Sequence, residues 1–398
     1  MTEGGFLDSF RGDGPLRHLT ILDFTQMVMG PIATQLLGDL GALVIKVEPR
    51  RGEWERSFLP RGRRFEGESA YFLAMNRNKL SLTADLKDPG DHELVLALAE
   101  RCDVVVNNFR PGVMERLGLG FASFRERNPQ IVFAQGTGYG DAGPLAGQPG
   151  QDLLVQALSG LAANTGGGNG PPIPTAAAIC DASTGFLLAF SIVAAALDAR
   201  LTGTARSIEV SLLAGALLLQ APEAFLALNT EMEWKRSVAN IGAPWFGAPY
   251  GLYRTADGWL AIAMTPRHKL VELFGLSGAL LELDEDAWYE RRDDVNADLA
   301  EVLLERTSDD WLAYFAEHDV WAAPLLSLAE AVRHPQVEAN GFVETIPLGE
   351  GRASAEAVGL VTQMSGLAQA ARLPPPQLGE HNDVIRDALG VKESTPHQ

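Results

Sequence analysis

The stretch Leu19-Thr20-Ile21-Leu22-Asp23-Phe24, followed by Gly30-Pro31 and then by Val44-Ile45-Lys46-Val47, decides the fold. The first apolar run predicts a buried strand, and Pro31 suits the first position of a helix that ends at Gly41. The second run predicts the next strand. A strand, a helix and another strand in such close succession are typical of an α/β layered fold.

The same alternation continues outward along the first 135 residues. Helices are predicted at Glu93 to Glu100 and around Val113 to Leu117, and strands at Val104 to Val106 and Ile131 to Ala134. Strands that alternate with helices usually lie side by side in a parallel sheet. We therefore predict an α/β protein with a large layered, Rossmann-like sheet domain.

A second, smaller α+β unit is predicted to begin near Ala221-Pro222. Its clearest element is a hairpin from Tyr250 to Ala263, in which Asp257-Gly258 provides the turn. Helices are expected to follow at about 267–275, 297–306 and 309–318.

Charge is distributed unevenly along the chain, whose net charge of −19 argues against a nucleic-acid partner. Residues 1–130 hold 17 Lys and Arg against 18 Asp and Glu, whereas residues 131–398 hold 15 against 33. Between Lys46 and Lys79, nine cations accompany five acids. This patch suits a polyanionic small ligand, and a solvated loop whose charges only aid solubility is an equally open interpretation.

Several features indicate a cytoplasmic protein without a membrane span. The first seventeen residues lack the apolar core of a secretory signal. Cys102 and Cys180 form no C-x-x-C pair, which suggests a reducing compartment. The apolar runs Phe186 to Leu197 and Val210 to Leu219 are each too short to cross a bilayer and are predicted to be buried helices.

Other motif-based functions fail on specific residues. In Gly136-Thr137-Gly138-Tyr139-Gly140, the third glycine of a dinucleotide fingerprint would fall at Asp141, and Pro144 stands where a helix should run. The sequence contains no Gly-Lys dipeptide for a Walker A loop and no G-x-S-x-G elbow. It also lacks H-E-x-x-H and paired Cys/His spacings, so no metal site is predicted.

Asp181 is the candidate reactive side chain. It follows the small-residue segment Pro171 to Cys180 and stands at the predicted start of an apolar helix, where Gly185 leaves room for a ligand. The positive end of the helix is expected to keep Asp181 ionised. An Asp in this position is far more often only an N-cap, and the neighbouring Cys180 is a weaker candidate nucleophile.

Six motifs resemble those of the class III CoA-transferase family, the CaiB/BaiF group that includes formyl-CoA transferase and carnitine CoA-transferases. The resemblance runs in order from about residue 17 to about residue 388. It is carried by Leu22-Asp23-Phe24-Thr25, Gly30-Pro31, Gly41 to Glu48, Asn76-Arg77-Asn78-Lys79, Asn108-Phe109-Arg110-Pro111-Gly112 and Leu378-Gly379-Glu380-His381.

The resemblance implies a set of functional residues, with Asp181 as the nucleophile. It implies no tightly bound cofactor, with coenzyme A as part of the acyl-CoA co-substrate. Phe109 would pack on adenine, although without the family it would be assigned to the core. The implied CoA contacts are Asn108, Phe109, Arg116, Lys87, Val28, Met29 and Arg50.

The resemblance also implies the architecture and assembly. Residues 1–220 would form the first part of a large CoA-binding domain, residues 221–340 an inserted small domain, and residues 341–398 the return to the large domain. Two subunits of such proteins interlock, so a homodimer is expected.

Three functions stay open at this point. The first is transfer of CoA from an acyl-CoA donor to a small carboxylate acceptor. The second is acyl-CoA racemisation or epimerisation on the same fold, for which related racemases use a His and a Glu where this chain has Gln151 and Thr265. Neither of these side chains can shuttle a proton at neutral pH. The third is a non-catalytic CoA-binding protein or an unrelated α/β oxidoreductase.

Overall fold

The computed structural model describes residues 7–231, 233–239, 242–360, 362–365 and 372–391. The chain divides into two compact units. The sheet unit comprises Met1–Val155, Ala178–Leu219 and Pro335–Gln398, and the small unit comprises Gln156–Ala177 and Gln220–His334. Residues 156–177, which the sequence assigned to the large domain, therefore belong to the small unit.

The sheet unit is built on six parallel strands. These are β1 (Thr20–Asp23), β2 (Leu43–Glu48), β3 (Lys79–Thr83), β4 (Val104–Asn107), β5 (Val132–Thr137) and β6 (Arg206–Ser211). Their order is β3-β2-β1-β4-β5-β6, and all neighbours are parallel. This is the order of a doubly wound sheet, so the predicted Rossmann-like layered fold is confirmed. The strand order reverses between β1 and β4, where such sheets bind ligands.

Helices cover both faces of this sheet. The helices of the unit are α1 (Met29–Asp39), α2 (Trp54–Ser57), α3 (Ala70–Met75), α4 (Pro89–Ala99), α5 (Val113–Arg116), α6 (Phe121–Arg127), α8 (Ile179–Thr202), α9 (Leu212–Leu219), α16 (Pro335–Ala339) and α17 (Asn382–Leu389), while α7 (Asp152–Leu158) spans the unit boundary. Successive strand residues point to opposite faces, so Ile21 packs with α1 and α8 whereas Leu22 packs with α4 and α6. The strands β10 (Val343–Ile346) and β11 (Ala355–Val358) form a separate antiparallel pair.

Several cations that the sequence assigned to an exposed patch are buried instead. Lys46, Arg77 and Lys79 are each at most 2% exposed. Each pairs with a buried acid: Lys46 with Glu53 at 2.7 Å, Arg77 with Asp39 at 2.5 Å and Lys79 with Asp23 at 3.3 Å. The acids come from elsewhere in the unit: Glu53 precedes α2, Asp39 ends α1 and Asp23 ends β1. The exposed part of the patch consists of Arg50, Arg51, Arg61, Arg63 and Arg64.

The small unit is an α+β assembly around an antiparallel sheet, ordered β7 (Tyr250–Arg254), β8 (Trp259–Ala263) and β9 (Trp321–Pro324). The predicted hairpin is therefore confirmed. The unit also contains α10 (Ala221–Asn229), α11 (Arg267–Phe274), α12 (Glu285–Glu290), α13 (Arg292–Leu303), α14 (Ser308–Glu317) and α15 (Leu328–Ala331). Trp311 and Phe315 of α14 stack at 5.3 Å in its core.

The two apolar runs differ from their prediction as buried helices. The first lies within α8, which has 24 residues and is the one helix among the described residues long and apolar enough by itself to span a membrane. Its inner face packs in the sheet core, but Phe186, Phe190, Leu197 and Leu201 are 56–77% exposed. In the second run, Val210 and Ser211 belong to strand β6, and α9 begins only at Leu212. The end of the strand was predicted as helix because a leucine-rich helix follows it directly.

Candidate active site

Two adjoining cavities lie at the carboxyl ends of β1, β4 and β5. The first has a volume of about 580 Å³, and the second has a volume of about 420 Å³. Gln26, Phe109 and Val113 line both. The two cavities therefore form one continuous run along the edge of the sheet unit, at the position where strand order reverses.

The cavity nearer β2 and β3 carries cations. Arg50, Arg51 and Lys87 line it, together with Phe109 and the aliphatic Val47, Ala84, Leu86 and Leu117. Arg50 Nη2 lies 3.2 Å from the buried Asp91 Oδ2, while 62% of the arginine side chain stays exposed. This end of the run offers positive charge beside an apolar wall.

The cavity nearer α8 contains Asp181. Arg110, Gln148 and Gln151 line the same space, as do Met27 and Met29. Asp181 is the acidic side chain of this lining and Arg110 is its cation. Arg110 and Gln148 were not predicted as site residues from the sequence, and Gln151 was noted only because related racemases have a His at its position.

The loop after β1 is held from two sides. The amide of Asn108 accepts from the N–H of Gln26 at 2.9 Å and donates to the carbonyl of Gln26 at 2.7 Å. The buried Nζ of Lys46 donates to the carbonyl of Thr25 at 2.8 Å. Met27 adopts a left-handed backbone with φ of 68°. Asn108, predicted to contact CoA, thus also serves as a brace for this loop.

This loop leads into the N-terminus of α1, where Met29 meets Asp181. The backbone N–H of Met29 donates a hydrogen bond to the Asp181 carboxylate. The close approach of α1 and α8 depends on Gly185, since a Cβ there would lie 2.7 Å from the carbonyl oxygen of Met29. A glycine on α8 therefore sets the distance between the nucleophile candidate and its backbone donor.

Asp181 is the third residue of α8, after Ala178 as the N-cap, so it is not itself the N-cap. Its own N–H donates to Oδ2 of Asp152 at 2.9 Å. Burial and the charge of Asp152 raise the pKa of Asp181 to about 7, against the opposing hydrogen bond from Met29. The expectation that the helix end keeps Asp181 fully ionised is therefore wrong, because desolvation and a second carboxylate outweigh the helix end.

Cys180 is buried next to Asp181. Burial, followed by Asp152 and Asp181, raises the pKa of the Cys180 thiol to about 12. The thiol stays protonated at neutral pH, and a thiolate nucleophile at this position is therefore disfavoured.

The remaining predicted CoA contacts fall outside the cavity linings. Arg116 is exposed on α5, with its Nη1 3.1 Å from where a Cβ on Gly112 would stand. Val28 is the half-buried N-cap of α1. Within the described ranges, no group of three or more His, Cys, Asp or Glu side chains is arranged to hold a metal.

The loop opposite Asp181 has its two ends in contact. A Cβ on Gly138 would lie 2.5 Å from the Cα of Gly150, and a Cβ on Gly150 would lie 2.3 Å from the Cα of Gly138. Only glycine at both positions allows this approach. Residues 146 and 148–151, near the end of the loop, line the Asp181 cavity.

The chain belongs to CoA-transferase family III, whose family model matches residues 16–382. It is 33% identical to mouse (Mus musculus) succinyl-CoA:glutarate CoA-transferase, over 95% of this chain and 87% of that protein. It is also 33% identical to acetyl-CoA:oxalate CoA-transferase of Acetobacter aceti, over 83% of this chain and 85% of that protein. The protein is therefore a CoA-transferase.

Solved structures agree with this assignment. The crystal structure of a CaiB/BaiF family protein from Brucella suis superposes with a TM-score of 0.81 at 30% identity, over 95% of this chain and 100% of that one. The resemblance found in the sequence motifs is thereby confirmed.

Proposed function

We propose that the protein moves CoA from an acyl-CoA donor to a small carboxylate acceptor, with Asp181 as the covalent nucleophile. The observation that carries this proposal is the run of two cavities with cations at one end and the half-buried Asp181 carboxylate at the other. The relatives named for glutarate and oxalate suggest a short dicarboxylate as the acceptor.

CoA would lie along the run with its phosphates at the cationic end. Arg50, Arg51 and Lys87 supply charge-assisted donors for the diphosphate and the 3′-phosphate. Phe109 lines both cavities and offers a flat apolar face to adenine or to the pantetheine chain. The thioester then reaches Asp181.

The chemistry begins with attack of an Asp181 oxygen on the thioester carbonyl. The C–S bond breaks, giving an aspartyl-acyl anhydride and CoA thiolate. The thiolate attacks the aspartyl carbonyl, releases the first acid and leaves an aspartyl-CoA thioester. The acceptor carboxylate attacks this thioester, and the returning thiolate attacks the acyl carbonyl of the new anhydride. Each intermediate is an activated acyl group, so no nucleotide is consumed.

The surroundings of Asp181 favour these steps. Asp181 is half-buried, so its carboxylate has lost part of its water shell and attacks more readily than a fully solvated one. The N–H of Met29 donates to the carboxylate oxygen in the resting protein. The same donor can stabilise the oxyanion that forms when thiolate attacks the aspartyl carbonyl, an interaction that contributes about 3 kcal/mol in other acyl-transfer enzymes.

An oxygen-labelling experiment tests the proposal. The protein is incubated with succinyl-CoA and a panel of carboxylates labelled with ¹⁸O in both carboxyl oxygens. The mass of the proteolytic peptide that contains Asp181 is then measured by mass spectrometry. The mechanism requires one ¹⁸O from the acceptor to remain in the Asp181 carboxylate. Asp181→Asn is the control, which should bind CoA but neither transfer it nor take up label. CoA transfer without label in Asp181 would refute the covalent route.

The same reaction mixtures in deuterated water separate the competing functions. Racemisation exchanges the α-proton of the acyl group, whereas CoA transfer leaves it in place. Gln151, which lines the Asp181 cavity, cannot act as a general base toward the α-proton at neutral pH. We therefore expect CoA transfer without α-deuterium incorporation.

A further inference from the structure

A second carboxylate is built against the nucleophile candidate. Asp152 begins α7 and is 8% exposed. Its Oδ2 accepts the N–H of Asp181 at 2.9 Å. The preceding residue, Gln151, lines the same cavity as Asp181. Asp152 therefore acts on the backbone of the reactive residue from outside the space where substrate would bind.

We infer that Asp152 is a positioning residue for CoA transfer, whose hydrogen bond to the N–H of Asp181 fixes the first turn of α8 and whose carboxylate places a second charge beside that of Asp181. This inference rests on the proposed nucleophilic role of Asp181. It goes beyond that role, because it assigns a separate residue to the orientation and the reactivity of the nucleophile.

The hydrogen bond supplies the positioning. The first N–H groups of a helix have no partner within the helix, and an outside acceptor that satisfies one of them fixes the first turn. Ala178, the N-cap of α8, makes no side-chain hydrogen bond to the helix. Asp152 supplies this missing acceptor and holds Asp181 in the turn that faces the N–H of Met29.

The charge supplies the reactivity. A more basic carboxylate is a better nucleophile, provided that enough of it is ionised at the working pH. The pKa of Asp181 is raised to about 7 by burial and by Asp152, so about half of the carboxylate is ionised at pH 7. A neighbouring anion thus strengthens the nucleophile while keeping it usable near neutrality.

The other groups around Asp181 leave Asp152 as its dominant charged neighbour. On α8, the Cys180 thiol is protonated, and the residue on the next turn toward α1 is Gly185. From α1 comes the N–H of Met29, which opposes the effect of Asp152. Across the cavity stands the cation of Arg110, and α9 contributes the apolar Leu212.

The decisive variant is Asp152→Asn, which keeps an oxygen that can accept the N–H of Asp181 but removes the charge. We expect the acidic limb of the kcat/KM profile to move from near pH 7 to lower pH by about one unit. At pH 6, the rate relative to each enzyme's own plateau should then rise about fivefold. Asp152→Ala also removes the acceptor. Its kcat should be about tenfold lower than that of Asp152→Asn, while its KM for acyl-CoA should stay within about twofold.

Asp103→Asn is the matched control. Asp103 also accepts a backbone N–H, that of Thr20 at 2.8 Å, but it immediately precedes β4 at the opposite edge of the sheet. Its acidic limb should coincide with that of the unmodified protein. For any variant that turns over too slowly for a profile, titration of the Asp181 carboxyl by ¹³C NMR gives the same comparison.

The results separate the two proposals. The role of Asp152 would be overturned if Asp152→Asn left the acidic limb of the kcat/KM profile, or the ¹³C titration of Asp181, where it is in the unmodified protein. An equal shift in Asp103→Asn would overturn it as well. If ¹⁸O still enters Asp181 in that case, the proposed nucleophilic role of Asp181 stands although the role of Asp152 does not. If no ¹⁸O enters Asp181 during transfer, the proposed covalent function itself is refuted.

Discussion

Gly185→Ala is the most direct test of how α1 and α8 form the site. The added methyl carbon would lie 2.7 Å from the carbonyl oxygen of Met29 and 3.3 Å from Cγ2 of Ile32. Ordinary carbon–oxygen contacts are about 3.4 Å, so α8 must withdraw from α1 by about 0.7 Å at this point. Asp181 lies one turn earlier on the same helix face, and it moves away from the N–H of Met29 together with Gly185.

The expected effect is larger on catalysis than on stability. Overpacking costs about 1–3 kcal/mol, and the better helix propensity of alanine offsets about 1 kcal/mol of that. A displacement approaching 1 Å at a reacting group lowers rates about 100-fold, so we expect kcat to fall between about 10-fold and 100-fold. The free energy of unfolding should fall by no more than about 2 kcal/mol.

Steady-state CoA-transfer kinetics and urea unfolding measure the two effects on the same preparation. Gly147→Ala is the control, because a Cβ there meets nothing within 4 Å and its backbone is not left-handed. It should change neither kcat nor the urea midpoint. A folded Gly185→Ala protein whose kcat stays within twofold of the unmodified protein would refute the dependence of Asp181 on this helix contact.

Three further predictions concern stability, CoA binding and assembly. Burial and Asp152 raise the pKa of Asp181 to about 7, so protonated Asp181 contributes its full share to the free energy of unfolding below about pH 4 and this contribution is lost as the pH rises through about 7. In urea titrations, Asp181→Asn should therefore be about 1–3 kcal/mol more stable than the unmodified protein at pH 8 and equal to it at pH 3.5. Lys87→Ala should raise the KM for CoA esters about 10-fold to 100-fold with little change in kcat, because Lys87 lines the cationic cavity. Arg116 lies outside both cavity linings, so Arg116→Ala should raise this KM less; unchanged KM values in both variants would place the phosphates elsewhere. The protein should remain a dimer at nanomolar concentration, with an interface above about 2,000 Å², and a reversible monomer in sedimentation velocity would contradict the expected interlocking.

The sheet could be predicted from the sequence because its strands are short apolar runs between helices. Two of the six strands were missed. Both β3 (Lys79-Leu-Ser-Leu-Thr) and β6 (Arg206-Ser-Ile-Glu-Val-Ser) interleave polar and apolar residues, and the leucine-rich α9 follows β6 without a break. The buried ion pairs of Lys46 and Lys79 could not be predicted from the sequence either. A lysine in a strand carries no local sign of whether an acid from another element will pair with it, as Glu53 does with Lys46 and Asp23 does with Lys79.

The site was predictable where local sequence carries the information. Asp181 stands out because small and apolar residues surround it. Its partner Asp152 does not, since 29 residues separate the two along the chain and only folding brings α7 beside the start of α8. The brace between Asn108 and Gln26 joins residues 82 apart and is likewise invisible in the sequence. The ionisation of Asp181 was mispredicted for the same reason, because it depends on a neighbour from elsewhere in the chain.

The contact between Gly138 and Gly150 makes residues 139–149 a nearly closed ring beside the Asp181 cavity. The entropy of closing such a ring grows slowly with its length, by about 0.6 kcal/mol for each doubling. The ring can therefore be lengthened or exchanged while its anchor points stay fixed. For protein engineering, this makes it a place to graft new acyl-group selectivity without disturbing the CoA site proposed at Arg50, Arg51 and Lys87.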